Sequence, residues 1–332
     1  MNSLLATRAP TYLRVVLTNA CPLQCAYCHQ EGDRAGTPPT LTAADRIRMI
    51  DASVRAGVDK VKFLGGEPLV SRDLPTIVAA LRALHPTLDI SMITSGVAAP
   101  ERLDAAFDAG LSRANLSIHG WSLEAFARRK GSRRAHALRQ ANLEALLRRG
   151  RPLKLNFVWS NEDDSEDLAA LLDWAAGRAL VVNVLDDLNE DLDAARILAV
   201  VTTLRGAPES TYIEPDPSSL DTLHLRWADG LVVELKHQQL GALAPWSACA
   251  TCPMRARCRE GIHAVRLSND GILRACMDRA DIGLPLAPLL AGDDASLAKA
   301  WASWVELQRV HVRARPILTP RAVSTNMDGL YA

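Results

Sequence analysis

The chain has 332 residues, 48% of them hydrophobic, which excludes disorder and allows one large core, or a core with a smaller module. Lys plus Arg and Asp plus Glu balance at 38 each, so no overall field draws it to a nucleic acid polymer or an anionic membrane. The opening MNSLLATRAP lacks the apolar run of a signal peptide, and no stretch reaches the ~20 apolar residues of a membrane span, so a cytoplasmic protein with reduced thiols is expected.

In chain order, TYLRVVLT (11–18) predicts a strand that ends at a cysteine-rich loop. LTAADRIRMIDASVRAG (41–57) predicts a helix with Thr42 as N-cap and Gly57 as stop. Strand DKVKFLGG (59–66), helix 75–85, strand 88–94, helix 101–110, strand 114–120, helix 135–150, strand 152–159, helix 165–177 and strand 179–186 follow. Six strands alternating with helices predict an α/β fold, a parallel sheet with right-handed crossovers short of a closed eight-fold barrel: a partial (β/α)6 barrel. Residues 10–186 are read as this core, 187–210 as a bridging segment, and 211–332 as a C-terminal module with its tail. The module contains two hairpins, 223–237 about Asp229-Gly230 and 264–277 about Asp270-Gly271.

The seven cysteines fall in two groups, an uneven number that fits poorly with a closed disulfide framework. Cys21, Cys25 and Cys28 share the loop after the first strand, and Cys249, Cys252, Cys258 and Cys276 lie in the C-terminal module. Reduced thiols grouped in this way point to two metal centres rather than to scattered small hydrophobes. Three thiolates on an iron–sulfur cubane leave one iron open, whereas His29 could instead complete a zinc site. The loop lies at the C-terminal end of its strand, where parallel sheets place their ligands. The basic run RRKGSRR (128–134) reads as a solvated face with a lesser claim to a phosphate or acidic peptide. The tryptophans, among them Trp159, Trp301 and Trp304, read as core.

CPLQCAYC resembles the CxxxCxxC signature of radical S-adenosylmethionine (SAM) enzymes, and GGEP (65–68), after the second strand, is similar to their second motif. LRVVLTNACPLQCAYCHQEG, SIHGWSLEAFARRKG and KLNFVWSNED most resemble the GTP 3′,8-cyclase-like group of molybdenum cofactor biosynthesis. The resemblance implies that Cys21, Cys25 and Cys28 hold a 4Fe–4S cluster whose open iron takes SAM. It also implies that a flavodoxin- or ferredoxin-like donor supplies the electron that splits SAM to methionine and a 5′-deoxyadenosyl radical. Tyr27 would lie against the adenine, Gly65 and Gly66 would approach the SAM ammonium, and Glu67 and Pro68 would shape that turn. Thr94, Ser95, Ser117 and Asn156 would line the pocket, although Asn156 equally suits a core amide. Arg14, His119, Lys154 and Arg266 are the substrate-facing candidates; no catalytic residue is assigned.

CATCPMRARC (249–258) and RLSNDGILRAC, ending at Cys276, are similar to a SPASM/Twitch-like auxiliary module, which implies a second 4Fe–4S cluster; a four-cysteine zinc site has the same spacing. Three departures from the cyclase group stand out. The second set has four cysteines, turning on Cys258, where the cyclase keeps three and an iron open to substrate. A lone Gly329 replaces a paired-glycine tail, and Ala264 stands where an arginine is expected. The expectation is therefore a radical SAM enzyme acting on a small nucleotide- or sugar-like molecule, a diverged relative of the cyclase. A radical SAM peptide maturase is the alternative, made less favourable by the dozen residues before the first strand. An authentic cyclase, or a non-catalytic zinc or iron–sulfur protein, are the remaining readings.

Overall fold

The computed structural model describes residues 12–33, 41–187, 194–214, 222–236, 251–253, 264–277, 279 and 282–311, with side chains described as far as Trp304. The core alternates β1 (Tyr12–Val16), α1 (Ala43–Arg55), β2 (Lys60–Leu64), α2 (Leu74–Leu84), β3 (Asp89–Thr94), α3 (Pro100–Asp108) and β4 (Arg113–Ile118). It continues through α4 (Leu123–Arg128), α5 (Arg133–Arg148), β5 (Leu153–Trp159), α6 (Ser165–Ala175) and β6 (Val181–Asp186). These six strands pair in parallel in sequence order, as the alternation predicted. The start of α1 also agrees with its sequence. Thr42 Oγ1 accepts from the Asp45 amide at 3.1 Å while Asp45 Oδ2 accepts from the Thr42 amide at 2.9 Å, a reciprocal capping box.

Parallel strands covered on both faces read as continuous apolar runs. These strands instead alternate. Leu13, Val15, Val61, Phe63, Ile90, Met92, Leu116, Leu155, Phe157, Val182 and Val184 are buried in one core with Met49, Ile50, Ile77, Leu81, Leu103 and Leu171 of the helices. The residues between them, from Arg14 and Lys62 to Asn156 and Asn183, lie on the opposite, polar face. The helices therefore cover one side of the sheet, and the other side is the floor of the site.

Beyond Asp186 the chain adds to both edges of this sheet. α7 (Ala194–Arg205), within the stretch read as a bridge, leads to β7 (Ser210–Glu214), β8 (Thr222–Arg226) and β9 (Val232–Lys236). β9 pairs in parallel with β6, and β8 and β7 follow antiparallel. β10 (Val265–Leu267) pairs in parallel with β1, and β11 (Ile272–Arg274) and β12 (Gly283–Pro285) extend that edge. The result is one twelve-stranded sheet. α8 (Asp294–His311), a helix not expected from the sequence, returns against α1: Trp301 is fully buried and its Nε1 donates to the Met49 carbonyl at 3.1 Å. Among the described residues no helix is long and apolar enough to cross a membrane.

Replacing Trp301 by Ala removes a large buried ring and its hydrogen bond. It is expected to lower the unfolding free energy of the apo-protein by about 3–5 kcal/mol in urea titration. A loss below about 1 kcal/mol would show that α8 lies outside the cooperative core.

Candidate active site

The cysteine loop is seated on the turn that follows β2. Gly66 N–H donates to the Thr18 carbonyl at 2.6 Å and Glu67 N–H to the Ala20 carbonyl at 2.9 Å. A β-carbon on Gly65 would come within 2.3 Å of the Thr18 oxygen, and one on Gly66 within 2.3 Å of the Ala20 oxygen; Gly65 also has φ +137°. Two glycines are therefore required by the protein's own packing. Glu67 points inward and is fully buried. Its Oε1 accepts from Leu69 N at 3.0 Å and Thr94 Oγ1 at 2.6 Å; its Oε2 accepts from Ser95 N at 2.7 Å and Ser95 Oγ at 2.5 Å. Burial raises its pKa, and the four donors oppose that rise. GGEP, Thr94 and Ser95 thus tie the ends of β2 and β3 beneath the loop. Pro68, also buried, begins the short turn that continues to Val70.

The far end of the loop is held by β10 and β11. Glu31 accepts from both Arg14 and Arg266, the latter at 3.2 Å, and all three are buried or nearly so. Asp33 accepts from Arg274 at 2.9 Å and from the Asn269 amide at 2.9 Å, while Arg274 also donates to the Gly32 carbonyl at 2.6 Å.

Between these anchors, Cys21 and Cys28 are exposed and Cys25 is half-buried. The Leu23 amide donates to Cys21 Sγ at 3.4 Å. Burial and the two neighbouring thiols push Cys25 up to about 11, so the protein alone does not favour a set of thiolates. Tyr27 stacks on His119, their ring centres 5.8 Å apart, and its hydroxyl hydrogen-bonds to His119 Nδ1, which also lies 3.7 Å from Cys25 Sγ. Burial, then Arg129 and Arg139, push His119 down to about 3, leaving a neutral ring. Arg129, from the basic run read as solvated, lies 5.1 Å over the Tyr27 ring and is fixed by Asp164 at 2.6 Å and the Val158 carbonyl at 3.0 Å.

The polar face of the sheet carries the remaining candidates. Arg274, Arg266, Arg14, Lys62, Ser91 and Arg113 are register partners across six strands. Ser117, Asn156, Asn183, Glu234, His224 and Tyr212 form a second row. Asn183 Nδ2 donates to Asn156 Oδ1 at 3.2 Å, and Lys154 pairs with Glu234. Lys60 and Lys62 were missed by the sequence reading, although KVKFL places both on the face of Arg14 by simple alternation. Lys62 is buried; among the described residues no carboxylate pairs with it, and its ammonium lies 5.6 Å from the Tyr12 ring centre. Burial, then Arg14, Lys60, Arg113 and Lys154, hold its pKa well below the ordinary value.

Of the second cysteine group, Cys252 and Cys276 are half-buried, and Cys249 and Cys258 lie outside the described residues. His29 Nδ1 accepts the Glu31 amide at 3.1 Å, and among the described residues no three His, Cys, Asp or Glu side chains converge on a single-ion position. A cubane takes one thiolate per iron corner, so three thiolates leave one iron open. Three thiols, one of them already receiving an amide, fit a 4Fe–4S cluster, whose positive irons would offset the raised thiol pKa values.

The chain is similar to known proteins along most of its length. The family model for the radical SAM superfamily matches residues 15–175. A probable GTP 3′,8-cyclase of Methanocella arvoryzae is 34% identical over 179 residues, 53% of this chain but only 57% of that protein. GTP 3′,8-cyclase of Rhodococcus opacus is 30% identical over 311 residues (88% of this chain, 83% of the relative), and GTP 3′,8-cyclase 2 of Mycobacterium tuberculosis 31% over 315 (90% and 83%). Among solved structures, Streptococcus suis SuiB aligns with a TM-score of 0.59 at 15% identity, covering 88% of this chain and 65% of SuiB, an agreement in fold alone.

Glu67→Gln places an amide group among four hydrogen-bond donors and is expected to lower stability by about 1–3 kcal/mol in denaturant titration; no change would mean the carboxylate is dispensable. For Lys62 the sign is opposite. Its folded pKa lies below the ordinary 10.5, so the folded state binds fewer protons and stability rises with pH between the two values. Lys62→Met should make the apo-protein more stable at pH 7, with the gain over wild type shrinking as pH climbs toward that ordinary value. A variant less stable at pH 7 would contradict this.

Proposed function

The chain belongs to the radical SAM superfamily, and from that premise we propose that it takes a hydrogen atom from a small, anion-bearing substrate of nucleotide or sugar type, as a diverged relative of GTP 3′,8-cyclase. The observation that carries the reading is the meeting of the cysteine loop with the cationic face of the sheet at Arg14, Glu31 and Arg266. Cys21, Cys25 and Cys28 would hold a 4Fe–4S cluster that, with SAM and one electron, supplies methionine and a 5′-deoxyadenosyl radical. The residues around it bind and orient. Tyr27, stacked on His119 and covered by Arg129, presents a fixed aromatic surface for the adenine. Thr94 and Ser95, held by Glu67, and Ser117 with Asn156 on the adjoining strands, line the SAM pocket. Lys60, Lys62 and Arg113 supply positive charge for an anionic group of the substrate. A buried cation with no partner carboxylate lowers stability, and retaining one is what anion binding requires. Cys252 and Cys276, with Cys249 and Cys258, would hold a second cluster, and a flavodoxin- or ferredoxin-like protein would deliver the electron.

Catalysis of GTP cyclisation itself is a second reading, favoured by 30–31% identity to the cyclases over some nine-tenths of the chain. Both readings require that anaerobically reconstituted protein, given SAM and dithionite, release 5′-deoxyadenosine, and that Cys25→Ala abolish the release. Turnover by the Cys25→Ala variant, or none by wild type, would refute them. Consumption of GTP in the same reaction separates the cyclase reading from the broader one.

A further inference from the structure

The two rows of the polar face differ in charge. The row Arg274, Arg266, Arg14, Lys62, Ser91, Arg113 is dominated by cations, whereas Ser117, Asn156, Asn183, Glu234, His224 and Tyr212 form a row without a lysine or arginine. Lys154, two residues from Asn156 on the same face of β5, and Lys236, two residues from Glu234 on β9, are cations beside this second row, and Lys154 is engaged by Glu234. The Glu234 side chain is 10% exposed and that of Lys154 33%, so the pair closes largely away from water. The acceptors of this row are unsaturated. Asn183 directs its Nδ2 to Asn156 Oδ1, and its Oδ1 is buried with no donor. Glu234 Oε1 lies 3.9 Å from His224 Nδ1, beyond hydrogen-bonding distance.

We infer that Glu234 is a specificity residue: by holding Lys154 it denies that ammonium to phosphate, and with Asn183 Oδ1 it offers acceptors to a hydroxyl- or amine-bearing part of the substrate. The substrate's anionic group is thereby steered away from Lys154 and toward Lys62 on β2, which among the described residues has no carboxylate partner. A chain of phosphates reaching the β5–β9 side finds Lys154 already engaged and meets an unmatched carbonyl oxygen, so it gains no pairing from that ammonium. His224, bridged at 3.0 Å to Glu214 and stacked on Tyr212 with ring centres 4.6 Å apart, buttresses the far side of Glu234. This assignment rests on the reading of the polar face as the substrate site, and concerns which molecules enter it.

The test is equilibrium dialysis of inorganic tripolyphosphate, and separately of GTP, against reconstituted enzyme. Glu234→Gln keeps the shape but releases Lys154, and is expected to bind tripolyphosphate and GTP at least about fivefold more tightly than wild type. The double variant Glu234→Gln/Lys154→Gln removes both charges together and is expected to stay within about twofold of wild type, because the pair is neutral as a unit. No tightening in the single variant overturns the inference. So does a loss of about tenfold or more in the double variant, which would show that Lys154 grips phosphate despite its partner. If the single variant does not fold, the net-neutral double still decides. Dialysis is independent of SAM cleavage: release of 5′-deoxyadenosine by wild type with no tightening in Glu234→Gln would remove this inference alone, whereas absence of that release would remove the radical reading whatever the dialysis shows.

Discussion

The carbonyl oxygens of Thr18 and Ala20 occupy the space where residues 65 and 66 would carry β-carbons. That close approach sets the position of the cysteine loop relative to β2, and the other features of the site follow from it. It allows the two amides of the glycine turn to bond the loop, and it directs Glu67 inward, where the carboxylate gathers donors from its own turn and from the end of β3. A side chain at either glycine would force the cysteine loop away from the turn after β2.

That floor is built against ordinary stability. Alternation in β1–β6 gives most of the apolar residues to the helical side and leaves arginine, lysine and asparagine on the other. Such a face is tolerable only where water, ion pairs or a ligand meet its polar atoms. Several of its members are paired within the chain: Arg14 and Arg266 with Glu31, Arg274 with Asp33, Arg113 with Asp89 at 2.7 Å, and Lys154 with Glu234. The pairings divide the surface into regions of different charge, so the shape of the electrostatic field is decided by carboxylates on three separate elements rather than by the count of basic residues.

Much of this was legible in the sequence because it is local. Strand-like runs alternating with helical ones found β1–β6, Thr42 marked the start of α1, and CPLQCAYC with GGEP marked the candidate site. The unread parts depend on distance along the chain. Nothing near Glu31 announces that Arg266, 235 residues later, completes its pairing. Arg129 looked like one more charge in a basic run until β5 and the turn before α6 brought Val158 and Asp164 to it. α8 has an apolar pattern too weak to stand out, yet Trp301 enters the core. The glycine turn was read as an approach to a ligand; the structure adds a role within the chain itself.

The clamp on residues 31–33 has a consequence for biosynthesis. Its partners, Arg266, Asn269 and Arg274, are translated more than 230 residues after the loop they hold. While the ribosome is still making the middle of the chain, the cysteine segment can be packed on β2 but remains unfastened at its other end, beside a β1 whose outer edge has no neighbour. Secure seating of the cysteine segment is therefore a late event, completed when the returning β10–β11 hairpin zips onto the oldest strand of the sheet.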